Sequence, residues 1–135
     1  MSEATPPDVP GADQVVSWFG SWPSFHDAEI LRLHLNRRGV SRLDVHAWRM
    51  TDQTYEADGR RYFVRDKHAV VTFELEAVSN LELFDFNAQN VLARLDLVRD
   101  GDLFCLRLDT VYGLGGRIDA GQVRVSLLAG EPAED

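Results

Sequence analysis

The side chains best suited to acid–base chemistry stand together near the N-terminus, where His26, Asp27 and Glu29 follow an aromatic–proline corner. A histidine oriented by a carboxylate can act as a general base, and the same groups can bind a metal ion. If the segment is extended, His26 and Asp27 point to opposite faces while Asp27 and Glu29 share one, which weakens a local site. A metal site would need another ligand, and no zinc-binding spacing links this group to the remaining histidines: His34, His46 and His68.

We therefore favour a structural interpretation of this corner, with a ligand or partner site and a catalytic centre as the alternatives. Pro23 would fix the entry into the first strand, and Trp22 and Phe25 would anchor the corner to the core. His26 and Asp27 would then satisfy backbone groups at the corner.

A second unusual stretch covers residues 84–90, where Phe86 is followed by three amide side chains: Asn87, Gln89 and Asn90. Amides between apolar runs predict a tight connection in which side chains bond backbone groups. A catalytic amide would lack a nucleophile, because Cys105 lies in an alternating run with no histidine near it in sequence. The glycine-rich segment 113–116 is not followed by the helix of a βαβ dinucleotide-binding unit, and it has no lysine of the kind found in phosphate-binding loops. The segment therefore predicts a turn or bulge.

The polar excursion 51–67 interleaves basic and aromatic residues. In an acidic chain this pattern favours a solvated hairpin, with its turn at Asp58-Gly59, over a nucleic-acid site. If the function is recognition, a protruding hairpin is where partner-binding side chains are expected. The candidates are Tyr55, Arg60, Arg61, Tyr62 and Arg65.

The elements that would position these residues are mostly strands. Asp13 predicts the N-cap of a short helix that ends at Gly20. Alternating apolar and polar residues then predict strands, with Leu31, Leu33 and Leu35 on the inner face of the first, and further strands at 43–47, 71–75, 95–97, 104–108 and 123–127. Asp100-Gly101 is a strong hairpin signal. We predict an α+β fold: a curved, mainly antiparallel sheet of about six strands with one short N-terminal helix.

Length and charge restrict the class of protein. The 135 residues fit a single domain at 12–130, between a disordered leader at 1–11 and an acidic tail at 131–135. The net charge of −8 weighs against nucleic acid and anionic membrane surfaces, and it favours a basic protein partner. One cysteine excludes an intrachain disulfide, and no signal peptide is recognised, so we expect a cytoplasmic protein. No cofactor or metal motif is found.

The two unusual stretches resemble a known family. The segment Phe19–Ile30 resembles the N-terminal signature of the immunity protein 50 family of bacterial polymorphic toxin systems, and Phe86–Val91 resembles a second signature in the middle of that family. Tyr112-Gly113 and the strand at 123–127 are compatible with its C-terminal end. The resemblance spans residues 15–127.

The resemblance implies a cytoplasmic protein that binds and neutralises a cognate toxin. It carries over no catalytic residue, so the toxin-binding residues are expected on exposed loops such as 52–67. Two alternatives remain open: a metal-dependent or acid/base enzyme that uses His26, Asp27 and Glu29, and a domain that binds a small ligand in an apolar pocket. Self-association through an exposed sheet edge, giving a homo-oligomer, is a further expectation.

Overall fold

The computed structural model describes residues 5–132, and for Met50 its backbone only. This part of the chain forms one helix and six continuous strands: α1 (Ala12–Phe19), β1 (Glu29–His34), β2 (Ser41–Ala57), β3 (Arg60–Phe84), β4 (Val91–Asp100), β5 (Leu103–Tyr112) and β6 (Gly115–Ala129). Every pair of neighbouring strands is antiparallel. The predicted antiparallel sheet with one short helix is confirmed.

Two features of the sheet differ from the prediction. The sheet closes on itself as a barrel, in the order β1-β2-β3-β6-β5-β4, rather than remaining an open curved sheet. In addition, β3 changes course at Ala77, which has a positive φ of 55°, and its register with β6 shifts between Val78 and Asn80. If the parts of β3 before and after this shift are counted as separate strands, the sheet has seven strands, whereas about six were predicted. A bulge adds a residue to one strand and bends it, which helps a long strand follow a closed wall.

The inner face predicted for the first strand is wrong in part. The register of β1 against β2 shifts between Ile30 and Arg32, and it is Ile30 that is buried. Leu33 packs only partly against the core, and Leu35 lies beyond the end of β1 and is exposed. The bulge at Leu31 shifts the alternation by one residue, so that Ile30 before it and Leu33 after it both lie on the inner face, opposite the buried Val45 and Leu43.

Helix α1 begins one residue before the predicted cap. Gly11, with φ of 91°, occupies the N-cap position, and Asp13 lies in the first turn, where a carboxylate still favours the positive end of the helix dipole. A side chain at position 11 would collide with the carbonyl of Val125, so glycine is required there. Gly20 ends the helix as predicted, with its N–H donating to the carbonyl of Val16. No helix in residues 5–132 has the length and apolar character needed to cross a membrane.

Part of the predicted disordered leader is packed. Val9 is buried, and the N–H of Val125 donates to the carbonyl of Pro10 at 2.8 Å. The end of the leader therefore lies along β6. Residues 1–4 of the leader and 133–135 of the predicted acidic tail lie outside the described residues.

The centre of the core is an aromatic cluster of Trp22, Phe25 and Phe73. Their rings meet edge to face, with centroids 5.8 Å apart for Trp22–Phe25 and for Phe25–Phe73. This geometry is the favourable one for aromatic pairs. The corner that precedes β1 is thereby fixed to the middle of β3.

A two-stranded arm extends beyond the barrel. Strand β1 pairs with β2 only as far as His46, and β6 pairs with β3 only from Ala69 onward. Residues 49–67 of β2 and β3 therefore pair with each other alone, and we call them the arm. At about 3.3 Å per residue the arm is on the order of 30 Å long. Its tip is the predicted turn, where Asp58 and Gly59 both have positive φ.

Candidate functional site: the seam and the arm

The barrel closes along a short contact between residues 24–30 and residues 90–95, which we call the seam. Glu29 and Val91 form its one ladder pair. Four further backbone hydrogen bonds cross it: Asp27 N–H to Leu92 O at 2.8 Å, Leu92 N–H to Ala28 O at 2.9 Å, Ile30 N–H to Asn90 O at 2.9 Å, and Leu95 N–H to Ser24 O at 3.1 Å. The seam thus joins the two unusual stretches of the sequence.

Asn90 organises the chain beside the seam. Its Oδ1 accepts hydrogen bonds from the N–H groups of Asn87 at 3.0 Å and Leu114 at 2.8 Å, and its Nδ2 donates to the carbonyl of Asn87 at 2.8 Å. Asn90 is only 3% exposed. A Cβ at Gly113 would lie 2.5 Å from both Asn90 Oδ1 and the carbonyl of Gln89, so glycine leaves room for the amide. Asn90 therefore links the 84–90 connection to the turn that precedes β6.

The side chains of His26 and Asp27 lie on the same side of the chain, contrary to the extended geometry considered above. Phe25 and Asp27 have positive φ values of 65° and 66°, so the segment turns instead of extending. His26 Nδ1 lies 3.3 Å from Asp27 Oδ2, and the side chain of His26 is 68% exposed. The two side chains pair with each other, and the N–H of His26 is satisfied by Ser24 Oγ. The expectation that they satisfy backbone groups is therefore not met.

Glu29 does not complete this pair, because it stands opposite His46 in the ladder between β1 and β2. In the described part of the chain, no three His, Cys, Asp or Glu side chains lie close enough to hold a metal ion. What remains at the corner is a solvent-exposed His–Asp pair, beside a cleft of about 280 Å³ that also touches Trp48 and Arg49. The hydroxyls of Ser21 and Ser24 also line this cleft, and Ser24 Oγ accepts a hydrogen bond from the backbone N–H of His26.

A cluster at the base of the arm was not identified from the sequence. His46 Nε2 and His68 Nδ1 are 3.0 Å apart and share a hydrogen bond. Trp48 packs edge to face on His46, with ring centroids 4.9 Å apart, and Arg65 Cζ lies 4.6 Å from the centre of the Trp48 ring. On the other side of the base, Trp18 Nε1 donates to the carbonyl of Lys67 at 2.8 Å. These contacts connect the arm to the barrel and to α1.

Burial lowers the pKa of His46, and the neighbouring His68 lowers it further, as does Arg65 to a smaller extent. Glu29 and Glu131 act in the opposite direction but do not reverse the shift. A histidine whose pKa is lower in the folded state binds protons more readily when the chain unfolds. Its contribution to stability is therefore present above the ordinary histidine pKa of 6.5 and is lost as the pH falls through the folded-state pKa.

We expect the free energy of unfolding to decrease when the pH is lowered from about 7 to about 5.5, and the substitution His46→Gln should flatten this dependence. Urea unfolding at several pH values measures it. His34→Gln is the matched control, because it removes an exposed histidine and leaves the His46–His68 contact intact. If His46→Gln keeps the wild-type difference between these pH values, the assignment to His46 is wrong.

The arm carries all five candidate partner-binding residues. Tyr55 and Tyr62 are cross-strand neighbours with stacked rings, 5.5 Å between centroids. Arg61 lies 3.7 Å from Glu56, Arg65 lies over Trp48, and Arg60 follows the tip. A bidentate pair of Arg49 with Asp66, at 3.0 and 2.8 Å, further fixes the two strands. Four of the five candidates border an open cleft of about 720 Å³ along the arm: Tyr55, Arg61, Tyr62 and Arg65.

Phe63 is a residue of the arm that the sequence reasoning missed. It is 56% exposed and contributes to the same cleft as Tyr55 and Tyr62. The sequence did contain a signal for it, an apolar aromatic residue in an otherwise polar run. A two-stranded ribbon has no core that could bury such a side chain, so the side chain is expected to be exposed. Three exposed aromatic side chains on one ribbon favour recognition of another surface.

The arm differs in charge from the rest of the protein. Residues 49–67 contain five basic and four acidic side chains, whereas the whole chain has a net charge of −8. The negative charge therefore lies on the barrel and the terminal segments. An arm that is close to neutral can approach a partner of either sign, and the barrel determines the long-range field.

Comparison of the chain with protein-family models, with curated proteins and with solved structures finds no match. The function is therefore inferred from the geometry of the seam and of the arm.

Proposed function

We propose that this protein is a protein-binding domain, an immunity protein that neutralises a cognate bacterial toxin, and that the arm is the surface that holds the toxin. The observation that carries the proposal is the arm itself, a ribbon that projects from a closed barrel and exposes Tyr55, Tyr62 and Phe63. The sequence resemblance of 19–30 and 86–91 to an immunity family supports the same function.

The construction of the arm supports binding rather than a purely structural role. Its two strands are held by the Tyr55–Tyr62 stack and the Arg49–Asp66 pair, and its base is held by Trp18 and the two histidines. A surface ordered before binding loses less conformational entropy when a partner arrives. Tyrosine and arginine are also the residue types that most often dominate interface energies.

The difference in charge between the barrel and the arm gives the two parts different roles in this proposal. The acidic barrel would attract a basic toxin over a distance and increase the rate of association, and the nearly neutral arm would make the close contacts. Association should therefore slow as salt is added, whereas dissociation should change little.

The prediction that tests the arm is the double substitution Tyr55→Ala/Tyr62→Ala. We expect it to weaken binding of the cognate toxin domain, to be sought in the gene beside this one, by at least about 100-fold, because two central aromatic anchors are removed together. Calorimetry with the purified toxin domain measures the affinity, and co-expression measures protection of the cell.

Leu103→Ala is the control. Leu103 is an exposed apolar side chain like Tyr55, at 38% against 52%, but it lies at the start of β5, outside the arm. The control should bind and protect like the wild type. No complex with the neighbouring toxin domain, or equal binding by the arm variant and the wild type, contradicts the proposal.

One observation favours a second candidate, an acid/base enzyme at the corner: the His26–Asp27 pair at 3.3 Å beside its cleft. His26→Ala discriminates the two functions, since an exposed histidine can be removed without loss of packing. For an immunity protein, His26→Ala should leave protection unchanged, whereas an enzyme should lose its turnover with its fold intact.

A further inference from the structure

A second exposed apolar surface lies at the end of the barrel opposite the arm. Strand β3 begins in the arm at Arg60 and ends at Phe84, where it pairs with Gly115 at the start of β6. Six large apolar side chains are exposed around this end, and we call them the apolar end: Leu35, Leu81, Phe84, Phe86, Val111 and Tyr112.

Contacts connect the part of this surface around Phe84 and Phe86. Phe84 and Phe86 border one cleft of about 380 Å³, together with Leu33 and the buried Leu114. A Cβ at Gly115 would lie 2.7 Å from the ring of Phe84 and 3.0 Å from a methyl carbon of Thr110. The ring therefore reaches the end of β5, where Val111 and Tyr112 follow Thr110.

The same end presents a free strand edge. Strand β2 pairs with β3 only as far as Leu75, and β6 occupies the other side of residues 78–84. Within the described residues, no other segment forms backbone hydrogen bonds to this part of β3. An unpaired edge next to exposed apolar side chains is a site at which another strand can add.

We infer that the apolar end is the interface of a homodimer, with a second copy of this chain as its occupant. Its side chains are Leu, Val, Phe and Tyr, whereas the arm adds arginines to its aromatics. Apolar aliphatic and aromatic surfaces resemble the core of permanent homodimer interfaces, and Tyr–Arg surfaces resemble separable ones.

The area agrees with this assignment. A buried aromatic side chain accounts for about 150–250 Å², so the half-exposed Phe84, Phe86 and Tyr112 alone offer on the order of 300 Å². The three aliphatic side chains and the strand edge extend the surface toward the roughly 800 Å² per partner of a standard interface. An exposed apolar patch of a few hundred Å² on a protein surface is often functional.

The edge is also compatible with a two-fold axis. When the β3 edges of two copies pair antiparallel around Leu81, the two Leu81 residues lie opposite each other. Asn80 of each copy then lies opposite Glu82 of the other, so that an amide faces a carboxylate. The neighbouring register would place the two Glu82 carboxylates opposite each other, which is unfavourable. Such a dimer leaves both arms free at its two ends, so it is independent of toxin binding.

Size-exclusion chromatography with light scattering on the full chain tests the inference. At about 100 μM the wild type should have twice the mass of one chain, because a dimer of micromolar dissociation constant is then formed. Phe86→Asp should raise the dissociation constant at least about 100-fold and give a monomer, since the interface would bury a carboxylate without a partner. Phe86 is 64% exposed and lies outside the strands, so the fold should survive, and a thermal melt verifies it.

Phe63→Asp on the arm is the matched control, with the same substitution at a similarly exposed phenylalanine. It should remain a dimer, and Leu81→Lys should dissociate like Phe86→Asp. A wild type that is monomeric at this concentration overturns the inference, as does a Phe86→Asp variant that stays dimeric. A monomeric wild type whose Phe86→Asp variant loses toxin binding would assign the surface to the toxin and likewise overturn it.

Discussion

Asn90→Ala should lower the free energy of unfolding by about 3–4 kcal/mol, roughly the sum expected when several buried polar groups lose their partners. The substitution leaves the N–H groups of Asn87 and Leu114 and the carbonyl of Asn87 without their side-chain partner. Two of these groups belong to the 84–90 connection and one to the turn before β6. Chemical denaturation with a fixed m-value measures the loss.

Gln89→Ala is the matched control for this prediction. Gln89 is exposed and belongs to the same connection, but its side chain makes no hydrogen bond in the described structure. Its removal should change the free energy of unfolding by less than about 0.5 kcal/mol. Similar losses for the two variants would show that Asn90 does not organise this part of the chain.

Phe25→Ala should reduce the free energy of unfolding by about 3–5 kcal/mol, the range for truncation of a buried phenylalanine. Phe25 contacts both other rings of the aromatic cluster and lies within the seam, so its loss opens a cavity where the barrel closes. Urea titration followed by tryptophan fluorescence measures it, because Trp22 reports on the same cluster.

The backbone conformation at Phe25 provides a control in which glycine and alanine substitutions are expected to reverse their usual order of stability. Its φ of 65° is in the left-handed region, which favours glycine over any residue with a Cβ by about 1 kcal/mol. Phe25→Gly should therefore be at least as stable as Phe25→Ala, the reverse of the usual order. His26→Ala, next in the chain, should have little effect on stability because its side chain is exposed.

Local signals in the sequence predicted the strands and turns well. The Asp58-Gly59 dipeptide forms the arm tip between Ala57 and Arg60, and the Asp100-Gly101 signal marks the turn between β4 and β5, displaced by one residue. The amides of 87–90 bond backbone groups as their residue types suggest. These features depend on interactions within a few residues, which composition and spacing encode directly.

The features that the sequence did not reveal are long-range. Barrel closure depends on segments 24–30 and 90–95 meeting, and no local pattern in either segment specifies the other. Asp27, whose side chain lies beside His26, has a left-handed backbone, and its N–H donates to Leu92 O in the distant segment. The His46–His68 pair requires the register of β2 on β3, which periodicity alone leaves free.

The seam has a kinetic consequence. Glu29 and Val91 are far apart in sequence, and the chain between them must be ordered before the few hydrogen bonds of the seam add any stability. Hairpins such as β2–β3 and β4–β5 involve neighbours in the chain and can form first. Closure of the ring is therefore expected to be the late event in folding. Spontaneous opening of the native barrel should begin at the seam, because few hydrogen bonds must break there.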